Sequence, residues 1–342
     1  MRVRNLDVAR EAGVSPTTVS LVLNDRTQVA LAPETKRRVQ EVAARMGYRP
    51  NLLARSLLSG RTQTLGVIIP SLSSSYVARI VEGMQEEAGD SNQQLLLTDT
   101  RHDPETEAAQ MELLLRHSVD GVLIVTGEST LRSLPERLRV LREAGVPCVV
   151  IDDQSHAEQV DCVVSQDRIG AEMAVTHLIE LGHRRIAHLS GGSGTSTARD
   201  RLSGYRRALK RASIPFQSEW VAGRSFSVAA AAQALEALVS LPKPPTAYFA
   251  ANDRLWAEAI QALRPRSARL LRNAAVVGYA NYDFSAYLGI SSVDQSPQSL
   301  GKAALRRLLD RIETPSMPPQ CLELPVNLVV RNSSKPVGSS AP

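Results

Sequence analysis

Aromatic side chains are scarce in this chain, with Phe, Tyr and Trp making up 4% of its 342 residues. That scarcity excludes a surface that holds single-stranded nucleic acid by stacking bases on rings. Cysteine is rarer still, and Cys148, Cys162 and Cys321 are scattered and odd in number. A disulfide-framed secreted module is thereby excluded, and buried unpaired thiols in a reducing cytoplasm are expected. No run of about 18 uninterrupted apolar residues occurs, so a membrane span is not expected. The opening residues are charged and enter a helical pattern directly, without an apolar leader, so export is not expected. Gly191 to Gly194 follow a strand pattern, yet no Gly-Lys-Ser/Thr comes after them, and Thr195 stands where a nucleophile elbow needs glycine. His177, His183 and His188 are spread over a helix, a loop and a strand, a poor geometry for a metal, so they read as structural. With no paired acid and base, the chain reads as a non-enzyme without cofactor or metal.

What is present is a basic front end. Residues 1–61 hold eleven Arg and Lys against five Asp and Glu, while the whole chain carries a net +5, so the remainder sits near neutrality. A cationic head on a neutral body is the electrostatic footprint of a phosphate-backbone binder.

Within that head, Leu6 to Ala12 and Pro16 to Leu23 carry apolar residues at helical spacing. Gly13 can close the first helix in the left-handed conformation, and Ser15 can cap the second with Pro16 at its first position. Helix, tight turn, helix is the arrangement in which a second helix enters the major groove of DNA. The spacing also occurs in all-α proteins with no nucleic-acid role, and the local charge decides between the two. A third helix runs from Pro33 to Gly47, with Val39, Val42, Ala43 and Met46 roofing the first two and Lys36, Arg37 and Arg38 on its first turns. Asn51 can cap a further short helix, Leu52 to Leu58, too short to hold alone in water.

Asp7 to Ser20, then Val22-Leu23-Asn24, and later Gly47 to Asn51 with Ala54 to Leu57, closely resemble the head of the LacI/GalR family of bacterial transcription regulators. The likeness continues to Leu324-Pro325-Val326. It implies a helix-turn-helix domain over 1–47, a hinge helix and linker over 48–61, an effector-binding and dimerisation core over 62–330, and a flexible tail over 331–342. It also implies that the hinge helix pairs with its twin over the minor groove and drives Leu57 between base pairs, with Ala54 and Arg55 facing the groove; such wedges unstack a base step. DNA contacts are expected from Leu6, Ser15, Pro16, Thr17, Thr18, Ser20, Leu21, Asn24, Tyr48, Asn51, Ala54, Arg55 and Leu57. No leucine heptad follows the core, so the resemblance implies a homodimer without a tetramer bundle.

From Thr64 onward, apolar strand patterns alternate with helical ones: strands at 65–70, 94–98, 121–125 and 147–152, and helices at 76–88, 105–117 and 134–144. The pattern repeats with strands at 161–164, 185–189, 246–250 and 274–279, and helices at 169–181, 202–212, 228–240, 254–263 and 300–313. Strands apolar throughout imply parallel sheets covered on both faces. The fold class expected is an all-α head followed by two doubly wound α/β subdomains like those of periplasmic binding proteins. By the family resemblance the first spans about 62–162 plus 292–323 and the second about 163–291 plus 324–330, with a small molecule held between them. Residues 314–320 and those after Arg331 read as loop and disorder.

Ligands of open α/β sheets bind beyond the carboxyl ends of strands. Polar residues at those ends are Asp152, Arg199, Asn252, Asp253, Asn281 and Gln295, joined by Tyr76; the resemblance adds Phe226 as an aromatic platform. Arg199 with Asn252 or Asp253 offers the donors and acceptors that sugar hydroxyls need, although Asp253 could instead cap the following helix and Asp152 could be a turn residue. Two departures matter. The family's aspartate after Gly278-Tyr279 is Ala280 here, and its arginine after Ser20 is Leu21, which offers thymine methyls contact but cannot read guanine. The expectation is a cytoplasmic regulator, a repressor, of double-stranded operator DNA tuned by a sugar. Alternatives are a non-sugar effector such as a nucleobase, an activator, a solute-binding protein or an α/β enzyme.

Overall fold

The structure, a computed structural model, describes residues 3–23, 31–48, 60–191, 194–223, 227–263, 265, 269, 271 and 274–338, the side chains of 128–130 excepted. The chain divides into two compact units, Met1–Gln63 and Thr64–Pro342.

In the first unit, α1 (Asn5–Ala12), α2 (Pro16–Leu23) and α3 (Pro33–Arg45) form where the apolar spacing places them. Val8, Ala9, Ala12, Val19, Val22, Val39, Val42 and Ala43 close into one small core. Gly13 ends α1 at φ +64°, where a side chain would be strained. Ser15 Oγ accepts the Thr18 amide at 3.0 Å, satisfying an orphan donor of α2. At the start of α1, the Asp7 carboxylate takes the Arg4 amide at 2.9 Å. That hydrogen bond holds the Asp7 carboxyl below its usual range.

The second unit holds two six-stranded sheets. The first comprises β1 (Thr64–Ile69), β2 (Gln94–Asp99), β3 (Gly121–Val125), β4 (Cys148–Ile151), β5 (Asp161–Ser165) and the late strand β11 (Cys321–Leu324), in the parallel order β11-β5-β4-β3-β1-β2. The second comprises β6 (Ile186–Leu189), β7 (Val221–Ala222), β8 (Ala247–Ala250), β9 (Ala275–Tyr279), β10 (Ser291–Asp294) and β12 (Asn327–Val329), in the order β12-β10-β9-β8-β6-β7. Helices cover the sheets, as continuous apolar strands require: α4 (Ser75–Asp90), α5 (Pro104–Arg116), α6 (Glu128–Glu143) and α12 (Pro297–Glu313) on the first, and α7 (Asp167–Glu180), α8 (Ser196–Arg211), α9 (Val228–Val239) and α10 (Asp253–Gln261) on the second. A short α11 (Asp283–Tyr287) precedes β10.

Three points differ from the expectations. The chain changes lobes after β5, after β10 and after β11, the first two a few residues beyond the approximate 162 and 291 expected and the third at the expected 323–324, because each ladder keeps its strand whole: β10 pairs with β9 through Val293 and β5 pairs with β11 through Ser165. Cys162 and Cys321 are not free thiols. Their strands place them directly opposite one another, and they form a disulfide across a sequence separation of 159, leaving Cys148 unpaired. Residues 331–338 are not a loose tail. Ser333 exchanges backbone and side-chain bonds with Val276, and Val337 donates to Leu181 O at 3.1 Å. His183 and His177 hold the same segment through Lys335 O and Ser334 Oγ, each at 2.9 Å. Serine hydroxyls replace apolar side chains as the anchors, which is why the composition read as disorder.

Candidate functional site

The head exposes one face of α2 because its own core buries the other. Burying Val19 and Val22 turns the opposite side of α2 outward, so Ser15, Pro16 and Thr17 are exposed and Thr18, Ser20 and Leu21 half-exposed. This helix carries no charged residue. Hydroxyls and methyls are what it offers a base edge, and the cations lie elsewhere: Arg10 on α1, and Lys36, Arg37 and Arg38 on the exposed side of α3. Arg37 lies 3.6 Å from Glu41 and Arg45 lies 2.7 Å from Glu11, both pairs exposed and weak in water. Leu6 is 49% exposed, an apolar residue left in solvent beside the reading helix's partner. Tyr48 packs against the head core and is half-buried. Asn24, Asn51, Ala54, Arg55 and Leu57 lie outside the described residues.

The cleft between the two lobes is built at strand carboxyl ends. Tyr76, at the start of α4, donates its hydroxyl to Asp152 Oδ1 at 3.1 Å. Asp152 follows β4 in the left-handed region at φ +65°, a strained position for an aspartate. Burial, reinforced by the neighbouring charge of Asp167, pushes the Asp152 carboxyl up to about 7. Burial also raises the Tyr76 hydroxyl, as does Asp152 beside it.

From the second lobe comes Arg201 on α8. Its Nε donates to Asp167 Oδ1 at 3.0 Å and its Nη1 to Ala251 O at 2.7 Å, while the guanidinium carbon lies 3.9 Å from the centre of the Tyr279 ring. Burial alone would lower the pKa of this guanidinium, but Asp167 outweighs it and holds Arg201 charged. Sequence reasoning missed Arg201. The signal was there: Ala198, Arg201, Tyr205 and Ala208 recur on one buried face of α8, and a charge on an apolar stripe has to meet a partner.

Arg199, two residues earlier, sits differently. It is exposed, donating through Nη2 to Ser155 Oγ at 3.0 Å and through Nη1 to Gly194 O at 3.4 Å. Together with Gln154 Nε2 on Asp200 at 2.7 Å and the Ser196 amide on Asp153 Oδ2 at 3.3 Å, it ties the 152–155 loop of one lobe to α8 of the other.

Asn252 and Asp253 divide their labour. Asn252 Oδ1 caps α10 by accepting the Leu255 amide at 2.7 Å. Asp253, the residue expected as the alternative cap, is fully buried and gathers Ser285 Oγ at 2.6 Å, Ser292 Oγ at 2.8 Å and the Tyr282 amide at 3.2 Å. Burial lifts its carboxyl to about 6, against those hydrogen bonds. Gly278 makes room for it, since a Cβ there would lie 1.8 Å from Asp253 Oδ1.

Beyond β9, Ala280 and Asn281 both take positive φ, +83° and +46°. Asn281 donates to Asp294 Oδ2 at 3.1 Å, accepts from Arg331 at 2.8 Å, and receives Arg79 of the first lobe on its carbonyl at 3.5 Å. Gln295 is buried and donates to Ser165 Oγ at 3.0 Å beside the crossovers. Tyr76 and Tyr282 face one another from opposite lobes with ring centres 6.5 Å apart. Phe226 lies outside the described residues. Of the expected ligand positions, Tyr76, Asp152 and Asn281 thus share the cleft with Arg201, while Asp253 and Gln295 are internal struts. Among the described residues no cluster of His, Cys, Asp and Glu has metal-holding geometry.

Two family descriptions match the chain: the LacI family of bacterial regulatory proteins over residues 6–51, and the periplasmic binding proteins and sugar binding domain of the LacI family over residues 62–331. The HTH-type transcriptional repressor PurR of Mannheimia succiniciproducens is 31% identical over 97% of this chain and 98% of its own. PurR of Aliivibrio fischeri is likewise 31% identical, over 96% of this chain and 97% of its own. Among solved structures, the lac repressor dimer bound to operator and the anti-inducer ONPF superposes at a TM-score of 0.78 with 26% identity, covering 98% of this chain and 100% of that one. The transcriptional regulator CelR in complex with cellobiose gives 0.69 with 30% identity, over 97% and 100%. A helix-turn-helix head with an uncharged reading helix, joined in sequence to a two-lobed sensor core, therefore belongs to the LacI family of bacterial DNA-binding transcriptional regulators.

Proposed function

We propose that this chain is a cytoplasmic homodimeric repressor that binds a near-palindromic operator and responds to a neutral sugar held between its two core lobes. The observation that carries the effector reading is the convergence of Tyr76 and Asp152 from one lobe with Arg201 and Asn281 from the other. The Arg201 guanidinium lies close enough to the Tyr76 phenol and the Asp152 carboxyl for its charge to act on both. Fixed donors and acceptors at several angles are what a ring of hydroxyls requires. The CelR complex, a relative of matching length, holds cellobiose.

On DNA, phosphate contacts from Arg10, Lys36 and Arg38 supply affinity, and Thr17, Thr18 and Leu21 supply sequence preference through hydroxyls and thymine methyl contact. Leu57 acts as the minor-groove wedge of the paired hinge helices. Closure of the lobes on effector changes the spacing of the two hinges, with a coupling of about 1–3 kcal/mol between sites. A planar nucleobase is the competing effector, for which the tilted Tyr76 and Tyr282 rings, 6.5 Å apart between centres, lend aromatic surface at the lobe boundary.

The experiment is a calorimetric panel of mono- and disaccharides and of nucleobases against the full chain, paired with footprinting of its own promoter region. A sugar that binds saturably, weakens with Tyr76→Phe and shifts the footprint supports the reading. Binding of a nucleobase alone replaces the sugar. Absence of any salt-sensitive footprint, or a strictly monomeric chain under native conditions, overturns the regulator itself.

A further inference from the structure

The effector cleft lies at the carboxyl ends of the strands; the opposite end of the second lobe carries a separate cavity. Three loops make it: the one before β6 with Arg184 and Arg185, the one after α8 that leads to Trp220, and the one before β8 with Lys243. Its volume is about 590 Å³, within the range of small-molecule sites. Ile214 and Leu241 supply apolar wall, and Trp220, 6% exposed, lends its indole. Two features there have no structural use. Arg184 and Lys243 are exposed and have no ion-pair or hydrogen-bond partner among the described residues, and neither does the indole N–H of Trp220. Arg185 spends only its Nε, on Pro244 O at 2.9 Å.

The charge is out of keeping with its surroundings. Three cations against the single carboxylate of Glu219 leave the cavity at +2, in a chain whose net charge beyond the head is about −1. The carboxyl ends of α7, α8 and α9 point to this side and favour cations, but that field falls off within the last turn. Lys210 and Arg211 already occupy the last turn of α8. Arg184, Arg185 and Lys243 stand beyond the helices, around the opening.

We propose that this cavity is a second ligand site, specific for a small dianion that carries a planar ring, of the phosphomonoester class. The phosphate would sit among Arg184, Arg185 and Lys243, which offer it charge-assisted donors while Arg185 keeps its Nε on Pro244 O. The ring would lie on the Ile214 and Leu241 wall, within reach of the Trp220 N–H.

The test uses calorimetry on the full chain with three probes: phenyl phosphate, inorganic phosphate and phenol. Phenyl phosphate is expected to bind with a dissociation constant below about 1 mM, tighter than either fragment, and to weaken about tenfold or more in Arg184→Ala/Lys243→Ala. Both substitutions are at exposed positions, and the melting temperature checks that the fold is kept. Tyr76→Phe in the cleft should leave the phenyl phosphate affinity unchanged, which separates this site from the effector reading. Equal affinity of the double variant and the parent, or loss of binding in Tyr76→Phe alone, overturns the proposal. So does the absence of binding up to about 10 mM. A lowered melting temperature of the double variant without any change in binding would assign these cations to the helix ends instead.

Discussion

Replacing Arg201 by methionine keeps most of its volume and removes its charge, and the structure fixes what is then left behind. The Arg201 and Asp167 side chains are 7% and 3% exposed, so the carboxylate cannot turn to water. Ala251 O loses a 2.7 Å donor and the Tyr279 ring loses the cation over its face. Breaking a buried pair from one side costs about 3–5 kcal/mol, because an uncompensated charge stays inside. Both tryptophans, Trp220 and Trp256, lie in the same lobe as Arg201, so urea unfolding followed by intrinsic fluorescence reports on the right part of the molecule. With a denaturant slope of about 2 kcal/mol per molar, the Arg201→Met midpoint should fall by roughly 1.5–2.5 M. Arg201→Met/Asp167→Asn removes both charges, and its destabilisation should be smaller than the sum of the two single changes by at least about 1 kcal/mol. Strict additivity would refute the pairing and with it the claim that Arg201 is held charged at the cleft.

Other outcomes follow from the same geometry. Asp152, with its carboxyl near 7 against about 3.9 in the unfolded chain, binds more proton when folded, so its contribution is fullest below about pH 4 and is lost as pH rises through 7. Asp152→Asn should therefore flatten the fall in melting temperature between about pH 4 and 7; an unaltered slope would place the titration elsewhere. Gly278→Ala drives a methyl to within 1.8 Å of Asp253 Oδ1 and should cost about 3 kcal/mol or more in urea unfolding, whereas Ala280→Gly, at φ +83°, should stabilise by about 1 kcal/mol. Thiol titration of the denatured, unreduced chain should count one reactive cysteine, Cys148, and three after reduction; three at the outset would disprove the Cys162–Cys321 bond. Leu21→Arg should move operator preference towards guanine in a binding-site selection, and an unchanged consensus would remove Leu21 from the reading face.

The head and the alternation of strands and helices were legible because each rests on local periodicity: Val19 and Val22 stand three apart on the buried face of α2, and β1 after Thr64, β3 and β4 are apolar throughout. Strands β10, β11 and β12 were not, being three or four residues long and rich in Ser, Asp, Glu and Asn. Helix α6 begins at Glu128 rather than Leu134 and carries Pro135 inside it, a residue that breaks the local helical pattern. At the cleft, residues at strand ends could be picked out from position alone, but their partners could not. Asn252 and Asp253 are adjacent and chemically alike, and only the packing under Gly278 sends one to a helix end and the other into the interior. The pairing of Cys162 with Cys321 depends on a strand register set by elements 159 residues apart.

The crossovers also bear on the order in which the polypeptide can mature. The first sheet is finished by β11 at residues 321–324 and roofed by α12 at 297–313, so its flank stays open until residue 324 has been made. The three-helix front end draws only on residues before 49 and is complete far sooner. A ribosome stalled late would therefore hold a folded three-helix head attached to an unfinished core, and neither lobe could be cut out as one continuous piece of chain.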